Sequence, residues 1–465
     1  MEADQSLKGN ESCQKKKCNI KYLVQYSIYI FSINLILFIL SNKWLSSEFT
    51  RDLALVEKLM INNGTSLKMG IISDFQLKGS SENPIGFSSK NLYQTLKVFK
   101  KRKIDLIIIL GDISHNGLSS NFQLYKDIFN SVYQNTTKKP KVISLMGNHD
   151  YFNTSLSIFE RQKQYYSIVG DYPSSHYIIN YYHFIFWGND NEKIGDNGTA
   201  NTLWIDKELK LAKKYLYRKG DPIFVFTHMH PMKTVYGSEN IWGSQVIFDA
   251  LKNYSEVICF SGHSHYSLRN DRSIWQKEFT VINTQSISYV DLDNYFVNSN
   301  EVRQISSNNS YMGIISELNE NKITMERIYF MTEEVLEDKW VINFPINNNS
   351  FNYTLDKLSK NIKPPFFEKQ NNIKFDESKR LLKFLSAIHQ RYVYCYKIIF
   401  KNSKNNQKIL KYYSDYYIVP KLRKKEVELY IPINITENYD YNIEIYAIDS
   451  FGQESQPLLY SLKTK

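Results

Sequence analysis

The sequence predicts an α/β protein followed by a smaller all-β domain. Between residues 69 and 265, five short apolar runs end in polar side chains and alternate with stretches of helical periodicity. Beyond residue 372 the pattern changes to short alternating runs with no helical stretch between them. The length of 465 residues suits two to three domains, and the 42% hydrophobic content suffices for a sizeable core.

The amino-terminal stretch predicts a tail and a membrane helix. Residues 1–21 are polar and lysine-rich, which predicts a disordered tail. Residues 22–42 carry no charge, and as a helix they would span about 31 Å, enough for a bilayer core. Because Lys15–Lys17 precede this run, the positive-inside rule puts the tail in the cytosol and the chain after residue 43 in the lumen or outside the cell. A cleaved signal peptide and a buried soluble helix are the alternatives.

The distribution of charge argues against a nucleic-acid partner. The net charge of +11 is dispersed, with separate clusters at Lys15–Lys17, Lys100–Lys103 and Arg423–Lys425, so we interpret it as solvated surface. A nucleic-acid substrate is therefore disfavoured.

Four cysteines make no disulfide framework. The sequence instead predicts a buried thiol at mid-strand Cys259 and places Cys395 in another domain.

Two kinds of modification site agree with the predicted topology. Cys13 and Cys18 lie on the cytosolic side of the predicted membrane helix and are candidates for palmitoylation. Glycosylation sequons on the other side fit a lumenal domain, although an asparagine-rich chain produces many by chance. These sequons begin at Asn63, Asn135, Asn197 and Asn434.

Each of the five apolar runs is followed by side chains that can hold a metal ion. We expect the runs to be core strands whose carboxyl ends share one edge. So many ionisable groups at one edge would be costly to leave unpaired, and a bound cation relieves that cost. The runs and the groups after them are 69–73 with Asp74 and Gln76, 106–111 with Asp112 and His115, 141–145 with Asn148, His149 and Asp150, 222–227 with His228 and His230, and 257–262 with His263 and His265.

Helical and strand-like stretches lie between and after these runs. Apolar spacing predicts helices at 90–103, 121–135, 155–168 and 204–217. Residues 278–283, 312–316 and 322–328 read as strands, the last two joined as a hairpin across 319–321. We expect these later strands to complete a second sheet, which packs on the first to form a two-sheet sandwich flanked by helices.

The order of these motifs resembles the calcineurin-like metallophosphoesterase family, which includes purple acid phosphatases and many phosphodiesterases. The family order is Asp-x-His, Gly-Asp, Gly-Asn-His-Asp or Glu, a lone His, and Gly-His-x-His. The chain follows this order between Asp74 and His265. The resemblance extends over residues 68–345 and implies the two-sheet metallophosphoesterase sandwich.

The resemblance also implies a role for each residue. Asp112 would bridge two metal ions, and Asp74 and His265 would complete the first site, joined by Gln76 through its side-chain oxygen. The second site would be completed by Asn148, His228 and His263. His149 would face the phosphoryl group without binding metal, and Asp150 would orient it.

This implied centre has a definite chemistry. Two ions roughly 3.5–4 Å apart clamp the phosphate, and a metal-bound water becomes hydroxide near neutral pH. Mixed nitrogen and oxygen ligands suit manganese, iron or zinc, as divalent or trivalent ions, rather than calcium. His149 would donate a proton to the leaving oxygen or stabilise the charge that develops there.

The chain departs from the family at three positions. Gln76 stands where the family most often has histidine, and a neutral amide should hold the first metal less tightly. His115 stands where many relatives have Asp, Asn or Tyr, so an iron-tyrosinate colour is not expected. His230 is additional, and its sequence context leaves a substrate contact and a surface position both open.

The carboxyl-terminal part predicts a separate domain. Residues 346–372 are asparagine-rich and contain Pro364-Pro365, which indicates a linker. The spacing of the short strands beyond it suggests a β-sandwich of immunoglobulin or fibronectin type III kind over residues 373–465. The predicted strands are 391–400, 411–419, 427–433 and 441–447.

These observations support three hypotheses of different kinds. The first is a membrane-anchored dinuclear metal-dependent phosphoesterase. The second is a protein that keeps the fold but has weak or no catalysis and uses its β domain for adhesion or partner binding, a possibility raised by Gln76 and His115. The third is a nuclease, which would require a continuous basic stripe beside the site and steep salt dependence. The sequence decides neither the substrate nor the oligomeric state.

Overall fold

The computed structural model describes residues 56–61, 66–79, 87–188, 202–239, 241–292, 301–302, 310–369, 372–402, 407–431 and 440–463. These residues belong to one unit spanning Leu55–Lys465. In these ranges no helix has the length and apolarity needed to cross a membrane. Several sequence predictions lie outside the described residues: the tail 1–21, the membrane helix 22–42, Cys13, Cys18, and the sequon asparagines Asn63, Asn197 and Asn434.

Helices and strands alternate through the first part of the chain, as the periodicity predicts. The helices are α1 (Phe87–Lys101), α2 (Ser119–Tyr133), α3 (Ile158–Val169), α4 (Thr202–Lys214), α5 (Gln245–Leu251) and α6 (Leu355–Ser359). The strands up to the predicted domain boundary are β1 (Val56–Leu59), β2 (Leu67–Ile72), β3 (Leu106–Ile109), β4 (Lys141–Ser144), β5 (Ser174–Ile179), β6 (Tyr182–Trp187), β7 (Ile223–Thr227), β8 (His230–Pro231), β9 (Gly243–Ser244), β10 (Val257–Ser261), β11 (Ile274–Gln276), β12 (Thr280–Asn283), β13 (Glu301–Val302), β14 (Met312–Asn319), β15 (Lys322–Tyr329), β16 (Glu334–Val335) and β17 (Trp340–Asn343).

The motif strands divide between two sheets. The first sheet has the order β16-β15-β14-β2-β3-β4, with β17 also paired to β15. The second has the order β1-β5-β6-β7-β10-β12-β11. The expectation of a single shared edge is therefore wrong: β2, β3 and β4 end in one sheet, whereas β7 and β10 end in the other.

The β14–β15 hairpin forms as predicted but belongs to the first sheet. Met312 pairs with Tyr329 and Asn319 with Lys322. β14 then runs antiparallel to β2, with Ile314 opposite Ile71. The prediction that this hairpin completes the second sheet is wrong, because residues 314–318 of β14 pair with β2 of the first sheet. The β5–β6 hairpin, whose strands the sequence pattern did not reveal, adds two strands to the second sheet.

The fully apolar motif strands are explained by burial on both faces. Leu106 and Ile108 of β3 face Phe224 and Phe226 of β7 in a core between the two sheets. The alternate residues Ile107 and Ile109 belong to a second core, which includes Leu92 and Phe99 of α1. α4 covers β6 and β7 on the outer side of the second sheet. The mixed α/β architecture expected from the sequence is confirmed.

The carboxyl-terminal residues form β structure, as predicted. The strands are β18 (Lys374–Asp376), β19 (Leu381–Leu385), β20 (Cys395–Asn402), β21 (Gln407–Tyr413), β22 (Glu426–Tyr430), β23 (Tyr441–Ile448) and β24 (Leu458–Leu462). One five-stranded sheet has the order β13-β21-β20-β23-β24 and a three-stranded sheet has the order β18-β19-β22. A core that includes Phe384, Ile398, Leu429 and Ile445 joins the sheets.

The segment predicted as a linker contains ordered contacts with the first part of the chain. Ile346 and Phe351 are buried in the core between the two main sheets. The backbone N–H groups of Asn352 and Tyr353 both donate to Oε1 of Gln276, each at 2.8 Å. The chain therefore passes to the β domain packed against the first two sheets.

Candidate metal centre

The predicted ligands lie just beyond the ends of their strands, on backbone that turns abruptly. Asp74 follows β2, Asp112 follows β3 and His263 follows β10. These residues have left-handed φ values of 55°, 54° and 70°, and His265 has 59°. Such conformations cost a non-glycine residue of order 1–3 kcal/mol and cluster at functional sites. The turns redirect side chains from both sheets into one buried space.

One group of ligand atoms surrounds Nε2 of His228. Asn148 Oδ1 and His263 Nδ1 each lie 3.0 Å from it, and Asp112 Oδ1 lies at 3.4 Å. Nδ1 of His228 donates to the carbonyl oxygen of Leu110 at 2.7 Å, so in the neutral ring Nε2 keeps its lone pair. These are the four residues that the resemblance assigns to the second metal site.

A second group of atoms gathers around the other oxygen of Asp112. Gln76 Nε2 lies 3.3 Å from Asp112 Oδ2 and 3.4 Å from His265 Nε2. His265 Nε2 is in turn 3.3 Å from Asp74 Oδ1. These are the residues assigned to the first site, and Asp112 contributes one oxygen to each group. Gln76 presents its amide nitrogen here, whereas the resemblance implies its oxygen.

Glycines allow these groups to approach closely. A Cβ at Gly147 would collide with the carboxylate of Asp112 and lie 2.8 Å from Cε1 of His228. A Cβ at Gly111 would lie 2.6 Å from the backbone nitrogen of Gly147, and its φ of +89° also disfavours any other residue. Both motifs therefore need glycine for space, and the Gly-Asp motif needs it for backbone conformation as well.

The electrostatics of the cluster are those of a cation site. Burial alone would raise the pKa of Asp112, but His228 and His149 outweigh it and hold the pKa well below its usual range. Burial would lower the pKa of His228, but Asp112 and Asp74 raise it to about 10. Burial and the charge of His228 hold the pKa of His263 well below its usual range. The carboxyl group of Asp112 is thus ionised and His263 is neutral, the forms that bind metal.

The residues fit a metal. Nε2 of His228 faces two oxygens and a ring nitrogen, more acceptors than one N–H satisfies, whereas a cation between them would bind all four atoms. Buried Oδ1 of Asp74 has no hydrogen-bond partner among the described residues. Ligand atoms of Asp74, Asp112 and His228 lie within 4.8 Å of one another.

His149 occupies the position expected of a residue that acts on the substrate. Its side chain is 22% exposed, and its Nε2 lies 4.0 Å from Asp112 Oδ2. Nδ1 donates to the carbonyl oxygen of His115 at 2.7 Å, which fixes the ring and leaves Nε2 toward the metal groups. The His149 ring also packs on Phe152, with centroids 4.3 Å apart.

Asp150 does not orient the imidazole of His149, contrary to the sequence prediction. Its carboxylate accepts from the backbone N–H groups of Asp112, Ser114 and Gly147, each at 2.9 Å. Burial and the Asp112 carboxylate raise the pKa of Asp150 to about 8, while the N–H groups of Ser114 and Gly147 act in the opposite direction. Asp150 therefore ties two ligand-bearing turns together, and the carbonyl group of His115 orients His149.

His230 is neither on the surface nor open to a substrate. It is fully buried, with Nδ1 2.7 Å from Ser261 Oγ and Nε2 2.8 Å from Ser264 Oγ. Since Ser264 lies between His263 and His265, His230 holds the turn that carries both residues. Burial lowers the pKa of His230 to about 3, so the ring is neutral.

Sequence reasoning missed two aromatic side chains beside the ligands. Trp242 contacts the ring of His263 edge-on, with centroids 4.9 Å apart. Tyr289 lies beside His265, with centroids 4.3 Å apart. Neither residue follows a motif strand, so no local pattern indicates that it borders the centre.

The comparison with protein families agrees with this geometry. Residues 67–267 match the model of the calcineurin-like phosphoesterase family. Over these residues the resemblance stated from the motifs is confirmed, and they include every predicted ligand. This match supports the hydrolase class for residues 67–267. No curated protein sequence matches the chain significantly.

Solved structures with similar folds come from several organisms. A dimetal phosphatase from Danio rerio is 13% identical, with a TM-score of 0.40, and the match covers 60% of this chain and 99% of that chain. The anchor protein of the inner membrane complex of Plasmodium is 15% identical, with a TM-score of 0.42, and the match covers 61% and 90%. A purple acid phosphatase from yellow lupin seeds is 12% identical, with a TM-score of 0.40, and the match covers 60% and 54%.

Proposed function

We propose that the chain is a dinuclear metal-dependent hydrolase of phosphoesters. The observation that carries this proposal is the convergence of two groups of ligand atoms on the two oxygens of Asp112, one around His228 Nε2 and one around His265 Nε2. Manganese, iron and zinc suit this mixture of imidazole, carboxylate and amide ligands. Bound there, two ions would activate water and neutralise the charge of the phosphoryl group.

The residues around the ions have separate tasks in this proposal. Asp74, Asn148, His228, His263 and His265 complete the two sites, and Asp112 belongs to both. His149 has the side-chain exposure needed to meet a substrate. Nδ1 of His149 is hydrogen-bonded to the carbonyl group of His115. Nε2 of His149 is therefore the atom that would donate a proton to the leaving oxygen.

A metal-binding and activity measurement tests the function. Full-length protein is stripped with a chelator, reloaded with Mn²⁺, Fe²⁺ or Zn²⁺, and assayed for bound metal and for hydrolysis of phosphomonoesters and phosphodiesters. Two ions per chain together with turnover are expected. Asp112→Asn should lose activity and at least one ion, because one carboxylate serves both sites. Full activity and metal content in this variant would exclude the bridging role.

A binding protein that keeps the fold is the second candidate. The observation that favours it is Gln76, whose Nε2 donates to Asp112 Oδ2 where the family most often has a histidine ligand. An amide that already satisfies this oxygen weakens the first site. Purified protein that binds at most one ion and hydrolyses no member of the panel would support this candidate over the enzyme.

We also propose that residues 22–42 anchor the protein in a membrane, with the hydrolase part in the lumen or outside the cell. The uncharged run and the preceding lysines support this orientation. In sealed vesicles derived from the endoplasmic reticulum, a carboxyl-terminal tag should resist protease until detergent is added. Digestion without detergent would reverse the orientation, and a soluble shortened product would indicate a cleaved signal.

A further inference from the structure

The loop that carries two of the proposed ligands continues directly into the β domain. His263 and His265 follow β10, and Asp271 and Arg272 come eight and nine residues after His263. Both of the latter residues contact the carboxyl-terminal domain. A short stretch of chain thus joins the proposed metal centre to a domain that contributes no proposed ligand.

Asp271 makes three polar contacts with the β domain. Its Oδ1 accepts from Nη1 of Arg391 at 2.6 Å, and its Oδ2 accepts from Oγ of Ser450 at 2.7 Å. Its backbone N–H donates to the hydroxyl oxygen of Tyr392 at 2.8 Å. Asp271, Tyr392 and Ser450 are buried, so the contacts are largely screened from water. Charged hydrogen bonds in such a setting hold their partners in a defined geometry.

Arg272 lies between tyrosines of both parts. Its guanidinium carbon is 4.1 Å from the ring centre of Tyr236 and 5.3 Å from that of Tyr394. The hydroxyl groups of these two tyrosines are hydrogen-bonded to each other. Nη2 of Arg272 has no hydrogen-bond partner among the described residues, so the aromatic faces hold this end of the side chain. Tyr236 belongs to the loop between β8 and β9, whereas Tyr394 belongs to the β domain.

Tyr236 transmits this contact to the ligand loop. Its ring packs on Tyr266, the residue after His265, with centroids 5.0 Å apart. A Cβ at the neighbouring Gly237 would collide with the ring of Tyr266, so the loop fits closely against it. The carbonyl oxygen of Tyr266 accepts from Nδ2 of Asn283 at 2.8 Å. The residue beside His265 is therefore held between the second sheet and Tyr236.

We propose that the carboxyl-terminal β domain is a structural part of the metal centre, with Arg272 as the positioning residue that links it to the loop of His263 and His265. The domain contributes none of the proposed ligands. It fixes Tyr236, Asp271 and Arg272, and these residues set the position of the two histidines. This inference rests on the metal centre of the proposed function, and metal affinity tests it independently of turnover.

The test is a metal titration of full-length protein carrying Arg272→Met, which preserves side-chain length and removes the charge. Groups hydrogen-bonded directly to metal ligands contribute about 10- to 100-fold to metal affinity. Because Arg272 acts through Tyr236 and Tyr266, a loss of up to about 10-fold is expected for Zn²⁺. Arg272→Lys keeps a cation over the ring of Tyr236 and should recover most of the affinity. The matched control is Arg380→Met, which removes a guanidinium 4.8 Å from the ring of Tyr430 within the β domain. It should bind Zn²⁺ as the wild type does.

The outcomes are distinct. Wild-type affinity in Arg272→Met, or an equal loss in Arg380→Met, would show that the β domain does not position the ligands. If Arg272→Met fails to fold, Tyr392→Phe replaces it, because this change removes only the oxygen that accepts from Asp271. Weaker Zn²⁺ binding in Tyr392→Phe supports the proposal, and unchanged binding overturns it. A wild type that binds no metal overturns the proposed function and this inference together.

Discussion

At the scale of single residues, the site depends on which hydrogen bond each histidine nitrogen makes. Nδ1 of His228 and Nδ1 of His149 both donate to backbone carbonyl groups, which fixes each ring and leaves its Nε2 toward the site. The difference lies in exposure: His228 is fully buried among proposed ligands, whereas His149 is 22% exposed. Burial therefore separates a proposed ligand from a residue that can meet the substrate.

His149→Ala should keep both metal ions and slow turnover by roughly 100- to 10,000-fold, the range for a positioned acid or base. Metal analysis and kcat measured on one preparation check this expectation. His115→Ala is the matched control, because the group of His115 that holds His149 is its backbone carbonyl, which the substitution retains. It should therefore affect kcat much less. Loss of metal from His149→Ala would make His149 a ligand and contradict the assignment.

Gln76→His should tighten the first metal site, because imidazole is a better donor to zinc or iron than a neutral amide. The site is suited to the change, since Gln76 Nε2 already lies 3.3 Å from Asp112 Oδ2 and 3.4 Å from His265 Nε2. Titration of the metal-free protein measures the effect. Gln76→Leu, which offers no donor atom, is the control and should bind more weakly. Equal or weaker affinity in Gln76→His would argue against a ligand at this position.

At the scale of elements, buried hydrogen bonds fix the second sheet to the helix that covers it. Nδ1 of His176 in β5 lies 2.7 Å from Oε2 of Glu208 in α4, and its Nε2 lies 2.9 Å from Nδ1 of His183 in β6. Nε2 of His183 donates to the carbonyl oxygen of Tyr215 at 3.2 Å. Burial and the neighbouring His176 lower the pKa of His183 to about 4. Protonation of His183 therefore opposes this arrangement.

The free energy of unfolding should decrease as the pH is lowered from 7 to 5, because His183 opposes protonation in the folded protein. An unfolded histidine has a pKa near 6.5, so the contribution is complete above that pH and is lost as the pH falls toward 4. Between pH 7 and pH 5 the loss is about 1 to 2 kcal/mol. Urea unfolding of metal-free wild type and His183→Asn at both pH values measures it, and the variant should lack this part. Between pH 7 and pH 8, the control range, both proteins should change equally. The same acid dependence in both would assign the effect to other groups.

At the scale of the whole molecule, the β domain shares packing with the first two sheets. Val419 of the carboxyl-terminal region is fully buried in the core between the main sheets. The hydroxyl group of Tyr329 in β15 donates to the carbonyl oxygen of Tyr417 at 3.3 Å. With the contacts of Asp271 and Arg272, these interactions make independent motion of the domain costly.

Unfolding should therefore expose both parts at the same denaturant concentration. Each part contains a buried free thiol, Cys259 in β10 and Cys395 in β20. Pulsed alkylation in increasing urea, followed by mass spectrometry of the two peptides, should give coincident midpoints. Protein unfolded in excess urea supplies the reference for full labelling of each thiol. Labelling of Cys395 at clearly lower urea would mean that the β domain unfolds by itself.

The sequence by itself determined the local elements and the chemical groups at their ends. Apolar runs of strand length and stretches of helical period are local properties, so β2, β3, β4, β7, β10 and the helices between them were predicted. The fixed order of Asp, Asn and His side chains after these strands was enough to name the groups that the structure brings together. The β domain was likewise predicted from alternation and turn spacing.

Tertiary structure decided which strands pair and what each polar group contacts. β14 pairs with β2 although more than 200 residues separate them, and no local period specifies that partner. Asp150 bonds to backbone N–H groups, and His230 is buried between two serines, because neighbouring strands of one sheet bring the loops that follow them together at these points. The docking of Arg272 between Tyr236 and Tyr394 joins residues more than 100 positions apart. Such contacts depend on packing between distant parts of the chain, which composition and periodicity do not encode.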